Sequence, residues 1–335
     1  MVNNSGTKRF VIYGAGAIGG VVGGHLAMAG YEVVLVGRPD PMNVVCRQGL
    51  KLITPTGAHT LRLQAVTSPS EVSFQPNDVV LLTVKGQNTE PAMRDLHDIV
   101  DDVPIFCMQN GVRNEEIVSR YFSRVYGVSV KGGAVYMNDG EVVCRSDPPA
   151  RVIVGRYPAG TDALVEDVAS DLRSAKYSVM VTPDVMPYKW GKLVGNLVNA
   201  VGAITNARGG EVNRIAEAGR REAAQLLREA CIRWVSQKEL AVEWPESAER
   251  PRAAMDTEEQ SSTWQSLGRQ QGTVETDFLN GEIVRIAKRL GKTAPINDRI
   301  CRITQEMAAN RERPGKYTPT ELSLLLGLDE TEKGS

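Results

Sequence analysis

Residues 9–38 read RFVIYGAGAIGGVVGGHLAMAGYEVVLVGR, and this stretch decides the fold of the first half of the chain. A short apolar run, Arg9 to Tyr13, ends in glycines; a helical stretch follows from about Ile18 to Ala29 and stops at Gly30. A second apolar run, Glu32 to Val36, comes next. The string Gly14-Ala15-Gly16-Ala17-Ile18-Gly19 therefore lies where a strand hands over to a helix. Gly14 permits a tight turn, Gly16 lets a pyrophosphate approach the backbone, and Gly19 lets the helix pack on the strand. The helix N-terminus presents N–H groups to the anion. A purely structural glycine turn is the plain alternative. Strand, turn, helix and second strand, however, all fall where a dinucleotide site needs them, within ~30 residues.

Which dinucleotide fits depends on the end of the second strand. An NAD site places Asp or Glu there to hold the ribose 2′-hydroxyl. Here the strand closes as Val34-Leu35-Val36-Gly37-Arg38, without an acid. A guanidinium pairs well with a 2′-phosphate, so Arg38 points to NADPH. If Arg38 is an ordinary surface residue, Asp40 stands ready as the ribose ligand of an NAD site.

Outward from this unit, strand-like and helix-like segments keep alternating. Val79 to Val84, Pro104 to Met108 and Val125 to Val130 are apolar runs stopped by turn or polar residues, and Leu50 to Leu63 turns back at Pro55-Thr56-Gly57. Such alternation predicts a mostly parallel sheet with helices on its faces, a Rossmann-type domain. Val142 to Val154 and Ser178 to Val181 read as later, partly antiparallel strands. After Pro183 the texture changes to long helical periodicities: Tyr188 to Thr205, Val212 to Gln237, a segment after Ser262, Val274 to Leu290 and Asp298 to Asn310. A short helix is expected at Pro319 to Leu326. The expected organisation is an α/β Rossmann-type domain over 8–184 and an all-α domain over 185–330, with 244–260 a loop between helices.

The 335 residues suffice for two domains with separate cores. Lys plus Arg (39) nearly balances Asp plus Glu (40), so net charge gives no case for nucleic acid or an anionic membrane as partner. Five scattered cysteines without a Cys-x-x-Cys pair argue against a disulfide framework or a metal site, and for a reducing compartment. Three of them lie in apolar runs and read as core. The polar start, Met1 to Lys8, has no apolar signal core, and no stretch reaches ~18 uncharged apolar residues. The cytoplasm is the expected location. The helical domain could offer an apolar face to a homodimer partner, although a helix packing within its own domain shows the same pattern.

One helix of the second half carries a polar stripe. At about 100° per residue, Lys192, Asn196 and Asn199 point near 0°, 40° and −20°. Leu193, Leu197, Val201 and Ile204 point to a separate apolar face. A solvated surface would also be polar, but asparagine costs a helix roughly 0.6 kcal/mol against alanine, so two at matched spacing want a reason. Reduction of a ketone needs a proton donor with a pKa near the working pH. The three histidines, His25, His59 and His97, occupy the cofactor helix or plain polar contexts. A lysine in a dehydrated cleft falls toward neutrality and attracts a carboxylate. Lys192 is the candidate, and Lys189 is a rival that points about 60° away.

Three further places carry polar residues at informative positions. Lys85 follows the strand ending in Val84, and Gln109-Asn110-Gly111 follows the strand ending in Met108. The carboxyl ends of parallel strands face the ligand crevice of an open sheet. Ser261-Ser262 and Glu275 stand at helix starts, where capping is an equal explanation.

In this order and spacing, these motifs make the chain resemble the ketopantoate reductase (2-dehydropantoate 2-reductase) family over roughly Arg9 to Asn310. The carrying residues are Gly14 to Gly19, Val84-Lys85, Gln109-Asn110-Gly111, Lys192-Leu193-Val194-Gly195-Asn196, Ser261-Ser262 and Val274 to Gly281. The resemblance implies NADPH held between a Rossmann domain and a helical domain, and a small 2-oxo acid substrate. It implies Lys192 as proton donor, with Asn110, Asn196, Asn199 and Ser262 on the substrate. Asn110 and Ala134 would lie on the nicotinamide side, Lys85 and Arg38 near the phosphates, and Glu275 would position cofactor or Lys192. The family's second asparagine stands eight residues after the lysine, where this chain has Ala200, with Asn199 one residue earlier. Gly209-Gly210 replaces a further asparagine, and the segment from Ser262 to Glu275 is one residue longer. Rival readings are a dehydrogenase of the same architecture acting on another oxo or hydroxy acid, and a non-catalytic NADP(H) sensor.

Overall fold

The computed structural model describes residues 8–248, 252–253 and 261–328. The chain divides into two compact units, one comprising residues up to Lys189 plus 238–257, the other 190–237 and the residues from 258 on.

The first unit opens with β1 (Arg9–Tyr13), α1 (Ala17–Met28), β2 (Glu32–Val36) and α2 (Pro39–Gln48), followed by β3 (Leu50–Thr54), β4 (Gly57–Leu61) and β5 (Gln64–Val66). Next come β6 (Asp78–Leu82), α3 (Thr89–His97), β7 (Ile105–Cys107), α4 (Asn114–Val118) and β8 (Val125–Lys131). It continues through β9 (Ala134–Asn138), β10 (Glu141–Cys144), β11 (Ser146–Asp147), β12 (Arg151–Arg156), α5 (Ala163–Ser174) and β13 (Ser178–Val181). Eight strands form one sheet in the order β13-β12-β8-β7-β6-β1-β2-β5. From β8 to β5 all neighbours are parallel, and β12 alone pairs antiparallel, with β8.

The central strands are continuously apolar because both sheet faces are covered. Phe10 and Ile12 enter one core with Val21, Val22 and Leu26 of α1, whereas Val11 enters another with Met93 and Leu96 of α3. Helix α1 is apolar all round, which marks a helix buried on more than one side. A second sheet, β4-β3-β10-β9, packs on its outer face. A β-carbon at Gly20 would lie 2.8 Å from Val142 Cγ1, and one at Gly24 2.9 Å from Leu52 Cδ2.

The sequence reading expected all of 185–330 in the helical unit, but the segment from Lys238 returns to the sheet unit. Ser146–Asp147 pairs antiparallel with Arg252–Ala253, Arg151 Nε donates to the Glu246 carbonyl at 3.1 Å, and the Tyr188 hydroxyl donates to Glu243. Of the loop expected over 244–260, residues 249–251 and 254–260 lie outside the described residues.

The division falls inside α6 (Met186–Asn196), between Lys189 and Trp190. The second unit is all helical among its described residues: the rest of α6, α7 (Val198–Thr205) and α8 (Gly210–Glu229) come first. Later helices are Ser262–Gly268, Asn280–Arg289, Pro295–Ala309 and Pro319–Leu325. Its core gathers Val201, Ile204, Ile215, Ile300, Ile303 and Met307.

Three expected helices are interrupted. Tyr188 to Thr205 breaks at Leu197, whose N–H reaches Val194 O at 3.4 Å, a tightened turn. The helix expected over Val212 to Gln237 ends at Glu229, because Cys231 takes φ +55°. Val274 to Leu290 is split at Leu279 into a single 3-10 turn, Glu275–Phe278, and the α-helix that follows.

Candidate active site

In the first unit, the turn after β1 is made from backbone. Gly14 has φ +116°, a conformation that favours glycine, and a β-carbon there would lie 2.4 Å from Val84 N. The N–H groups of Gly14 and Ala15 both donate to Val36 O, at 2.9 and 3.1 Å. Thr83, which the sequence reading did not single out, donates its hydroxyl to Gly14 O at 2.8 Å and ties the turn to the end of β6. A β-carbon at Gly19 would lie 2.4 Å from Gly14 O. Gly16 is different: it is exposed, and the nearest heavy atom to its β-carbon would be Gly14 O at 3.9 Å.

Gly14 and Gly19 are thus required by the fold, and Gly16 leaves a cradle open to solvent. No side chain caps α1 and no acidic residue occupies its first turn, so its terminal N–H groups face that cradle without a competing carboxylate. The geometry fits a pyrophosphate. Arg38 and Asp40 are both exposed at the start of α2, just beyond β2, and Lys85 is half-buried just beyond β6. Ala134 opens β9 in the second sheet, opposite Cys144.

The turn after β7 is made from side chains. Asn110 is half-buried, and its carbonyl accepts from Asn114 Nδ2 at 2.8 Å. Thr89 donates to Asn114 Oδ1 at 2.9 Å and accepts from Gln109 Nε2 at 2.8 Å. Gln109, Thr89 and Asn114 are all buried. Glu115 is buried as well and pairs with Lys189, whose ammonium also reaches Cys107 O and Gln109 O. Burial pushes the Glu115 carboxyl up from its ordinary range, and the adjacent lysine opposes the shift. Lys189 is therefore enclosed in the sheet unit.

In the second unit, Lys192, Gly195, Asn196 and Asn199 are half-buried, whereas Leu193, Val194, Leu197 and Ala200 are buried. The break at Leu197 divides the three polar residues, leaving Lys192 and Asn196 on α6 and Asn199 on α7. Ala200, at the position of the family's asparagine, lies in the core at 1% exposure. Arg220 Nη2 donates to Gly195 O at 3.1 Å. Ser261 caps the helix Ser262–Gly268 by accepting from Trp264 N and donates to Asn199 O at 3.3 Å, which brings exposed Ser262 beside the stripe. Glu275 stands apart in chain and element, half-buried at the start of its 3-10 turn. Gly209 and Gly210 are exposed at the start of α8.

The sequence profile described as "Ketopantoate reductase PanE/ApbA" matches residues 10–159, and its "C terminal" counterpart matches 184–308. The chain belongs to the ketopantoate reductase family. Among relatives of this ketopantoate reductase family member, the 2-dehydropantoate 2-reductase of Pyrococcus horikoshii is 30% identical over 297 residues, covering 86% of this chain and 94% of that protein. That of Archaeoglobus fulgidus is 30% identical over 298 residues, covering 87% and 94%. A crystal structure of a PanE/ApbA family ketopantoate reductase from Ralstonia eutropha superposes with TM-score 0.75 at 26% identity, over 90% of this chain and 99% of that one. D-mandelate dehydrogenase with NADH and anilino(oxo)acetate superposes with TM-score 0.79 at 21% identity, covering 90% and 99%, a likeness of fold. The class is oxidoreductase.

Proposed function

We propose that this family member reduces a small 2-oxo acid with NADPH, 2-dehydropantoate to pantoate first among them. The reading is carried by half-buried Lys192 and Asn196 of α6 and Asn199 of α7, interleaved with buried Leu193, Val194, Leu197 and Ala200, in a chain of this family. The open cradle at Gly16 supports a dinucleotide, and Arg38 beyond β2 supports its 2′-phosphate.

Bound NADPH would supply a hydride to the substrate's carbonyl carbon. Lys192 donates the proton to the carbonyl oxygen and, while cationic, stabilises the charge that develops there. Asn196, Asn199, Ser262 and Asn110 hold the hydroxyl and carboxylate of the substrate, and Glu275 positions Lys192 or the cofactor. Lys85 and Arg38 neutralise phosphate charge, and Ala134 leaves room on the nicotinamide side.

The test is oxidation of NADPH by the purified protein with 2-dehydropantoate, with NADH and other 2-oxo acids in parallel. Rapid, NADPH-selective turnover is expected. Tight NADPH binding without turnover on any oxo acid would remove the reading in favour of a sensor. A second reading keeps the reaction and changes the 2-oxo acid; buried Ala200 favours it, because a substrate-gripping asparagine is absent there.

A further inference from the structure

Beneath the turn after β7 lies an ion pair that the proposed reaction does not use. Lys189 of α6 and Glu115 of α4 have side chains 2% and 0% exposed, and their charged ends meet. The ammonium also lies 3.3–3.4 Å from the carbonyl oxygens of Cys107, Gln109 and Val128. Its three donors are therefore more than satisfied. Cys107 closes β7, Gln109 immediately precedes Asn110, and Glu115 follows the turn in α4. One ammonium grips the turn from both chain directions.

A buried ion pair is a poor device for stability alone. Desolvation of both ions offsets their attraction, and apolar side chains of like volume often do as well or better. Val118, three residues after Glu115, and Val185, four before Lys189, are buried apolar neighbours along the chain. The carboxylate is also only half used, because Glu115 Oε2 is buried with no hydrogen-bond partner among the described residues. What the pair supplies, and apolar packing does not, is direction: carbonyls from β7, from the turn and from β8 converge on one point. A β-carbon at Gly127 would press on Val185 Cγ1 at 2.7 Å and would meet Glu115 Oε1 only in ordinary contact, at 3.5 Å.

We propose that Lys189 and Glu115 are positioning residues that hold the Gln109-Asn110-Gly111 turn for the reaction. The inference rests on the reading of Asn110 as a substrate contact.

The test is the paired variant E115L/K189M in the full chain. Its melting temperature should equal or exceed the parent's, and its NADPH Kd should stay within about threefold, because the turn after β1 is untouched. kcat for the oxo acid should fall by about 10- to 100-fold, the effect of a misplaced contact on an otherwise intact fold. Amide hydrogen exchange should speed up at residues 109–112 and not at 14–19. Turnover within about twofold of the parent, or unchanged exchange at 109–112, overturns the proposal. So does a joint collapse of stability and NADPH binding, which would make the pair an element of the fold. Should E115L/K189M not fold, E115Q/K189M, closer in shape to the original pair, takes the same readings. If neither folds, the pair is a folding requirement and the proposal is overturned. A parent that reduces no oxo acid counts against the functional reading instead, and exchange at 109–112 then decides alone whether the pair holds the turn.

Discussion

The turn after β1 and the turn after β7 leave the same sheet at the same end, with only β6 between their strands. The first consists of glycines whose N–H and C=O groups bond to Val36 and Thr83, with Gly16 open to solvent. The second is held from below by Thr89, Gln109, Asn114, Glu115 and Lys189, all buried. On the proposed reading the first turn serves a phosphate, a large anion that backbone N–H groups can satisfy, and such a site is made by removing side chains. On the same reading the second turn serves a reacting carbonyl, which needs single polar atoms at fixed positions, and such a site is made by adding side chains and bracing them from behind.

Five substitutions would break or sharpen that contrast. The largest effect is expected from Lys192→Ala, which should lower kcat by about 10²- to 10⁴-fold and leave NADPH affinity nearly intact. Near-parent turnover in that variant would remove the proton-donor role. Next come two glycines of the first turn that should fail differently. Gly14→Ala forces a β-carbon against Val84 at φ +116° and should cost about 2–4 kcal/mol of stability. Gly16→Ala should cost about 1 kcal/mol or less yet weaken NADPH by about tenfold or more. Equal effects of the two on melting and on affinity would show that Gly16 is only a structural glycine.

Arg38→Ala should weaken NADPH by about 10- to 100-fold with little change for NADH, read as the ratio of their Kd values. An unchanged ratio would hand the ribose to Asp40. The smallest effect belongs to His25 in α1, behind the first turn. Burial lowers its pKa from the ordinary 6.5, against an opposing hydrogen bond to Val21 O. The unfolded chain then binds the proton first, so this contribution to stability is complete above 6.5 and shrinks as pH falls below it. His25→Asn should flatten the acid-side decline in melting temperature by a few degrees at most. A decline as steep as the parent's would show that other groups set it.

Much of this was legible without coordinates. The β1–α1–β2 unit could be read because its determinants are local: two apolar runs, a helix, and glycines at fixed offsets between them. The Lys192 stripe could be read because helical periodicity maps sequence spacing onto a face. The same logic misled where a helix was assumed to run on. Nothing local in Leu197 or Leu279 announces a break, and the reading joined segments that tertiary packing separates. Cys107, Cys144 and Cys301 are buried as their apolar settings implied.

The sequence by itself determined the Rossmann architecture, the glycine turn after β1 and which helix face is polar, since each follows from neighbours within a few turns of the chain. Only the tertiary structure decided that Lys189, three residues before Lys192, is enclosed against Glu115, 74 residues away in the chain. It also decided that the segment after Lys238 returns to the sheet unit, and that Gly16 alone of the three motif glycines is free of the fold's own demands. The reason is physical: a hydrogen bond or ion pair between distant residues leaves no period in the sequence, and a lysine reads the same there whether water or a carboxylate surrounds it.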